Sequence, residues 1–152
     1  VTPSYLDIVA LNAEADAGSR TLSLGLDLAG AVPSSNPSVG QLAYVFYLDV
    51  DGDGAWDYTA TFKLVPEGGY RPSLATSAGG APREGPDYPG TAALAGSTVS
   101  LTLRLDAIGC PPRVSVRAAS QQTKAGVTAG DTVPDASDAW IPVTTGCQPA
   151  AS

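Results

Sequence analysis

Asp49, Asp51, Asp53 and Asp57 fall within nine residues of "DVDGDGAWDY" (49–58). Four like charges that close repel one another unless a cation sits between them. A loop winding around an ion points alternate residues inward. Here the acids stand at relative positions 1, 3, 5 and 9, and Ala55 at 7 is placed to offer its backbone carbonyl. Hard carboxylate and carbonyl oxygens in that number suit calcium. Gly52 and Gly54 fall where the chain must turn tightly. The competing reading is a solvated acidic hairpin turn, since Asp-Gly pairs favour such turns for conformational reasons alone. A turn needs one or two aspartates rather than four, and crowded carboxylates without a cation raise one another's pKa. The spacing therefore predicts a calcium loop. Its expected role is structural, because catalysis wants an open coordination position and a neighbouring base, and the sequence supplies neither.

The loop's opening positions match the start of an EF-hand, but position 12 is Ala60 where that motif has a bidentate glutamate, and both flanks read as strands. The pattern D-x-D-x-D-G-x-x-D over 49–57 instead resembles the calcium loops set between strands in integrin-type propeller blades. The resemblance implies Asp49, Asp51, Asp53 and Asp57 as side-chain ligands and Ala55 as a carbonyl ligand.

Other groups are less specific. Asp131 and Asp135, with Asp138 nearby, form a second acidic cluster that would join Asp7 if the first and last strands are neighbours; the spacing matches no calcium motif, and a solvated turn is the expectation. Trp56, just after the acid loop, is expected to begin a buried face. Tyr70 and Tyr88 lie in a Gly/Pro-rich stretch and are expected to be exposed; tyrosines there can form a binding platform, and loop-packing aromatics are as common. The three glutamates, Glu14, Glu67 and Glu84, all sit in turn-like contexts, so nothing selects a carboxylate pair for glycoside hydrolysis. No enzymatic activity is expected.

Composition narrows the classes further. The 152 residues carry no histidine, which excludes Ser-His-Asp and Cys-His nucleophilic sites and His-ligated zinc. A net charge of −7 with eight basic residues argues against nucleic acid and anionic membranes as partners; Arg104, Arg113 and Arg117, the nearest thing to a basic cluster, are expected on separate strands. Methionine is absent too, so a mature secreted form or an excised domain is expected. Cys110 and Cys147, the only cysteines, both stand beside loop formers. A bridge between them would tie the C-terminal segment to a strand, stabilise the fold by roughly 3–4 kcal/mol, and imply a secreted or cell-surface location.

The elements that must position these groups are strands. Period-two alternation runs through 21–28, 56–64, 99–105 and 114–118, the pattern of half-buried antiparallel strands. In 41–48, Leu42, Tyr44, Phe46 and Leu48 share one face while Val45 and Tyr47 make the other apolar, so this strand is central or carries a binding surface. Further strands are expected over 5–13 and 139–143, and a weak one over 70–75. Eight or nine strands cannot hide so many apolar faces in one sheet. The expectation is an all-β, two-sheet antiparallel sandwich, one domain over 1–147 with a tail or linker at 148–152.

With the strands in place, "YLDIVALNAEADAGSRTLSLGLDLAGAVP", "AYVFYLDVDGDGAWDYTATFKL" and "VSLTLRLDAIGCPPRVSVRAAS" together resemble β-sandwich accessory domains of secreted bacterial proteins, loosely akin to the family 9 carbohydrate-binding and DOMON-type sandwiches. The family's paired sugar-clamping aromatics find no match here, and DOMON haem ligation through His or Met is excluded. The resemblance implies a non-catalytic accessory or binding module, with extracellular polysaccharide as a ligand class. The alternative is a self-assembling subunit of an extracellular filament or surface layer, for which the apolar "VTPSYLDIVAL" would serve as an exchanged strand.

Overall fold

Alternating leucines in two separate stretches demand two apolar faces, and the computed structural model packs them against each other. It describes residues 4–16, 18–32, 41–65, 69–77, 83–84, 87–124, 127–133 and 140–146, with 41, 64–65, 69–70, 123–124 and 127–133 entering by their backbone alone. Eleven strands occur among them: β1 (Ile8–Asp16), β2 (Thr21–Leu28), β3 (Gln41–Asp49), β4 (Tyr58–Val65), β5 (Gly69–Thr76), β6 (Arg83–Glu84), β7 (Gly90–Ala95), β8 (Thr98–Arg104), β9 (Arg113–Lys124), β10 (Val127–Val133) and β11 (Ile141–Thr144). One 3-10 turn, Leu105–Ile108, links β8 to the β9 side. No helix of the described residues is long and apolar enough to cross a membrane.

The strands form two antiparallel sheets. One has four strands in the order β1-β2-β8-β7; the other has seven, β10-β9-β3-β4-β5-β6, with β11 also paired to β9. β9 is long enough to share one edge, pairing β11 through residues 113–116 and β10 through 118–124. Its opposite edge pairs β3 along its whole length. The all-β, two-sheet antiparallel sandwich expected from the alternation is the fold observed. The strand count exceeds the expected eight or nine because β6, β7 and β10 are short or rich in Gly, Ala and Thr and give little hydrophobic contrast.

Inward residues of both sheets build one core. Leu22, Leu24, Leu26, Leu28, Val99, Leu101 and Leu103 face Leu42, Tyr44, Phe46, Leu48, Phe62, Val114 and Val116, all buried. Each fully buried side chain of this size contributes roughly 1.5–3 kcal/mol. The core's polar atoms are satisfied where the N-terminal turn crosses it. Tyr44 and Ser120 hydroxyls donate to the carbonyls of Tyr5 and Leu6, and the Tyr5 hydroxyl donates to Gln122 Oε1 at 2.9 Å. β1 thus begins at Ile8 instead of residue 5, because 4–6 form a turn pinned to β3 and β9.

β3 is central, flanked by β4 and β9, as its two apolar faces suggested. Pro142 sits in β11 opposite Ser115, on a strand that pairs with β9 alone, where its missing N–H costs no ladder bond.

Candidate metal centre

The acid loop is the connection of the β3–β4 hairpin. Ladder pairing ends at Leu48 opposite Tyr58. The Asp57 amide still donates to the Leu48 carbonyl at 2.7 Å, so the chain between them, 49–56, is a closed loop on a rigid base. On the far side, the Ser77 amide donates to the Asp57 carbonyl at 2.9 Å, which fixes the loop's exit to the end of β5.

Within the loop each acid turns the chain for the next. Asp49 Oδ1 accepts from the amides of Asp51 (3.2 Å) and Gly52 (2.9 Å), and Oδ2 from Gly54 (2.9 Å). Asp51 Oδ1 accepts from the Asp53 amide at 3.2 Å, and Asp53 Oδ1 from the Ala55 amide at 2.9 Å. Asp57 Oδ2 accepts from the Val50 amide at 2.9 Å, closing the ring from the other end. Gly52 and Gly54 adopt φ of 76° and 84°, the left-handed region that a side chain disfavours.

This winding brings the carboxylates together. One oxygen from each of Asp49, Asp51, Asp53 and Asp57 lies within 4.8 Å of the others, an arrangement that could hold a metal ion. Asp49 is buried at 3% exposure, while Asp51 and Asp53 are exposed. Burial raises the Asp49 carboxyl, but the amides of Gly54, Gly52 and Asp51 outweigh it and hold it below the usual carboxylate range. At Asp51 the Asp53 amide pulls downward, yet the Asp53 and Asp49 carboxyls and partial desolvation push it above its ordinary value. The two acids are driven apart because one is saturated with donors and the other faces like charge. A cation between them would remove the second effect.

Beside the loop, a cleft of about 500 Å³ opens between Asp49, Asp51 and Gly52 on one wall and Pro112, Arg113 and Thr144 on the other.

The remaining expected residues fall elsewhere. Tyr88 is a correction: it is buried at 5% exposure instead of standing on an exposed loop. The chain from 87 to 89 turns immediately before β7, so the ring is drawn under the sandwich, and burial pushes its hydroxyl pKa up. Tyr70 lies on β5, entering by backbone alone. Asp7 is exposed, Asp131 stands on β10 opposite Ser120, and Asp135 and Asp138 lie outside the described residues, so no second cluster with Asp7 is assembled among those described. Cys110 is half-buried with φ 45°, its Sγ 3.1 Å from the Arg20 guanidinium; Cys147 and the tail 148–152 lie outside the described residues. Arg113 and Arg117 share β9, whereas the alternation had suggested separate strands.

Trp56 is the second correction. It is 49% exposed and packs on Tyr47, ring centroids 5.2 Å apart and tilted by 54°. Alternation had extended the strand back to residue 56, but Asp57 belongs to the loop and strand pairing begins at Tyr58. The sequence signal for an outward aromatic pair was present in Tyr47, which falls on the second apolar face of β3.

No protein-family model matches this chain, and no curated protein matches it.

Proposed function

We propose that this chain is a non-catalytic, calcium-stabilised β-sandwich module of a secreted or cell-surface protein, acting as an accessory or binding domain with carbohydrate as its ligand class. The observation that carries the calcium assignment is the convergence of four carboxylates on a loop whose own amides hold each of them in place. All-oxygen donors, with the Ala55 carbonyl completing the set, fit a hard cation of flexible coordination, which is calcium rather than zinc or copper. Bound calcium would neutralise the repulsion at Asp51 and lock β3 to β4.

A Cys110–Cys147 bridge is part of the same reading. Two features support it: no described cysteine is free, and the Thr145 amide donates to the Pro112 carbonyl at 3.1 Å, bringing the chain just before 147 beside the chain just after 110. A bridged domain belongs in an oxidising compartment. The module is favoured over a self-assembling subunit because β1 pairs with β2 of its own chain along nearly its whole length, as an ordinary first strand does.

The test is thermal unfolding in excess calcium and in chelator. With calcium about 100-fold above its dissociation constant, the folded state gains about 2.7 kcal/mol, raising the midpoint by about 5–10 °C. An unchanged midpoint contradicts the assignment.

A further inference from the structure

The outer face of the seven-stranded sheet carries an arrangement that the fold does not explain. Register builds it from three rungs. Nearest the acid loop, Thr59, Tyr47 and Arg117 stand side by side, and Trp56 packs on Tyr47. The middle rung is small, with Thr61, Val45 and Ala119. The far rung sets Lys63 directly opposite Arg71 across β4 and β5.

Lys63 and Arg71 are both exposed, and among the described residues no ion pair or hydrogen bond engages either head group. Like charges directly opposite each other on a sheet are destabilising. With Arg113 and Arg117, this face holds four of the chain's eight basic residues, although the net charge is −7. Two acids with described side chains share the register of this face: Glu84, on the short edge strand opposite Ser73, and Asp49, opposite Ser115 at the acid-loop end, where it is buried.

We infer that this face binds an acidic polysaccharide, specifically a uronic-acid chain, laid along the strand direction. Its carboxylates would sit on Lys63 and Arg71 and a sugar ring against Tyr47 and Trp56. The two ends are four strand residues apart, about 14 Å, a span for several sugar units over a floor of small side chains. The Arg71 fork suits a planar carboxylate bidentately, and Lys63 adds a point charge. An aromatic face takes the apolar face of a ring that a purely ionic site would leave unused. This inference rests on the carbohydrate part of the reading above and on the position of Trp56 in the acid loop, not on calcium binding there.

The experiment is calorimetric titration of the intact chain, in calcium-containing buffer, with oligogalacturonate, a neutral cello-oligosaccharide of equal length and a sulfated oligosaccharide. The expected result is binding of oligogalacturonate with little or none of the neutral oligomer. Lys63→Ser and Arg71→Ser each weaken it about threefold to fivefold, and Trp56→Ala about tenfold. Unfolding midpoints at or slightly above the parent's in the two exposed cation variants, as loss of the like-charge opposition predicts, show that the fold is intact. Equal or tighter binding of the neutral or the sulfated oligomer overturns the uronate assignment and leaves the carbohydrate reading standing. Binding of none of the three overturns both. Oligogalacturonate binding insensitive to all three substitutions places the site elsewhere and overturns the inference.

Discussion

The Asp57 carboxylate reaches back across the hairpin loop to accept the Val50 amide at 2.9 Å, while the Asp57 amide donates to the Leu48 carbonyl. The last acid of the loop therefore closes its first turn. The four carboxylates are held close by backbone geometry at the cost of mutual repulsion, an arrangement that could hold a cation.

Asp49 anchors the loop with three amide acceptances from a buried position. Asp49→Ala leaves those donors unpaired and is expected to cost about 1–3 kcal/mol even without calcium, lowering the unfolding midpoint by about 3–10 °C. It should also abolish any calcium response. A midpoint within a degree of the parent would contradict the anchoring role.

Asp51 predicts the opposite sign. Its carboxyl lies above its ordinary value in the folded chain, so its ionisation opposes folding, and its favourable contribution is present at low pH and lost as pH rises through the folded value. In chelator at neutral pH, Asp51→Asn should therefore be at least as stable as the parent, and in calcium less stable. Parallel melts in the two buffers check the crossover. A variant less stable in both would sink the like-charge argument.

Acid titration of the calcium-free chain tests Asp49 directly. Its depressed carboxyl contributes stability that is fully present above the unfolded value, about 3.9, and is lost as pH falls through the folded value. Denaturant midpoints should hold near pH 5 and drop below about pH 4. In Asp49→Asn that part of the acid-side loss should vanish.

The Tyr88 hydroxyl is buried and has no hydrogen-bond partner among the described residues. Removing an unsatisfied buried polar atom relieves its desolvation cost, so Tyr88→Phe is expected to stabilise by about 1 kcal/mol. Destabilisation of that size by urea unfolding would mean that the hydroxyl is paired through a buried water.

The sandwich was legible because Leu22 to Leu28 and Val99 to Leu103 alternate without interruption, and period two admits little else. The acid loop was legible for a different reason: its aspartate spacing is local, so nine residues contain the whole pattern. What escaped depended on tertiary context. Trp56 and Asp57 continue an alternating pattern, and it is the hydrogen bond from the Asp57 amide to the Leu48 carbonyl, with ladder pairing that starts only at Tyr58, that shows the loop extends to them. Tyr88 sits among glycines and prolines that read as surface, yet its turn folds under the sandwich. The Lys63–Arg71 opposition needs the β4–β5 register, and β5 lies where the composition gave only a weak strand.

The most direct test of the central claim is equilibrium dialysis of the purified chain against calcium, with metal content measured per chain. One calcium per chain, lost in Asp49→Asn and Asp53→Asn while the far-ultraviolet signature of the sheets persists, is the predicted result. A metal-free chain at millimolar calcium would contradict it and leave 49–57 as an acidic turn held together by its own amides.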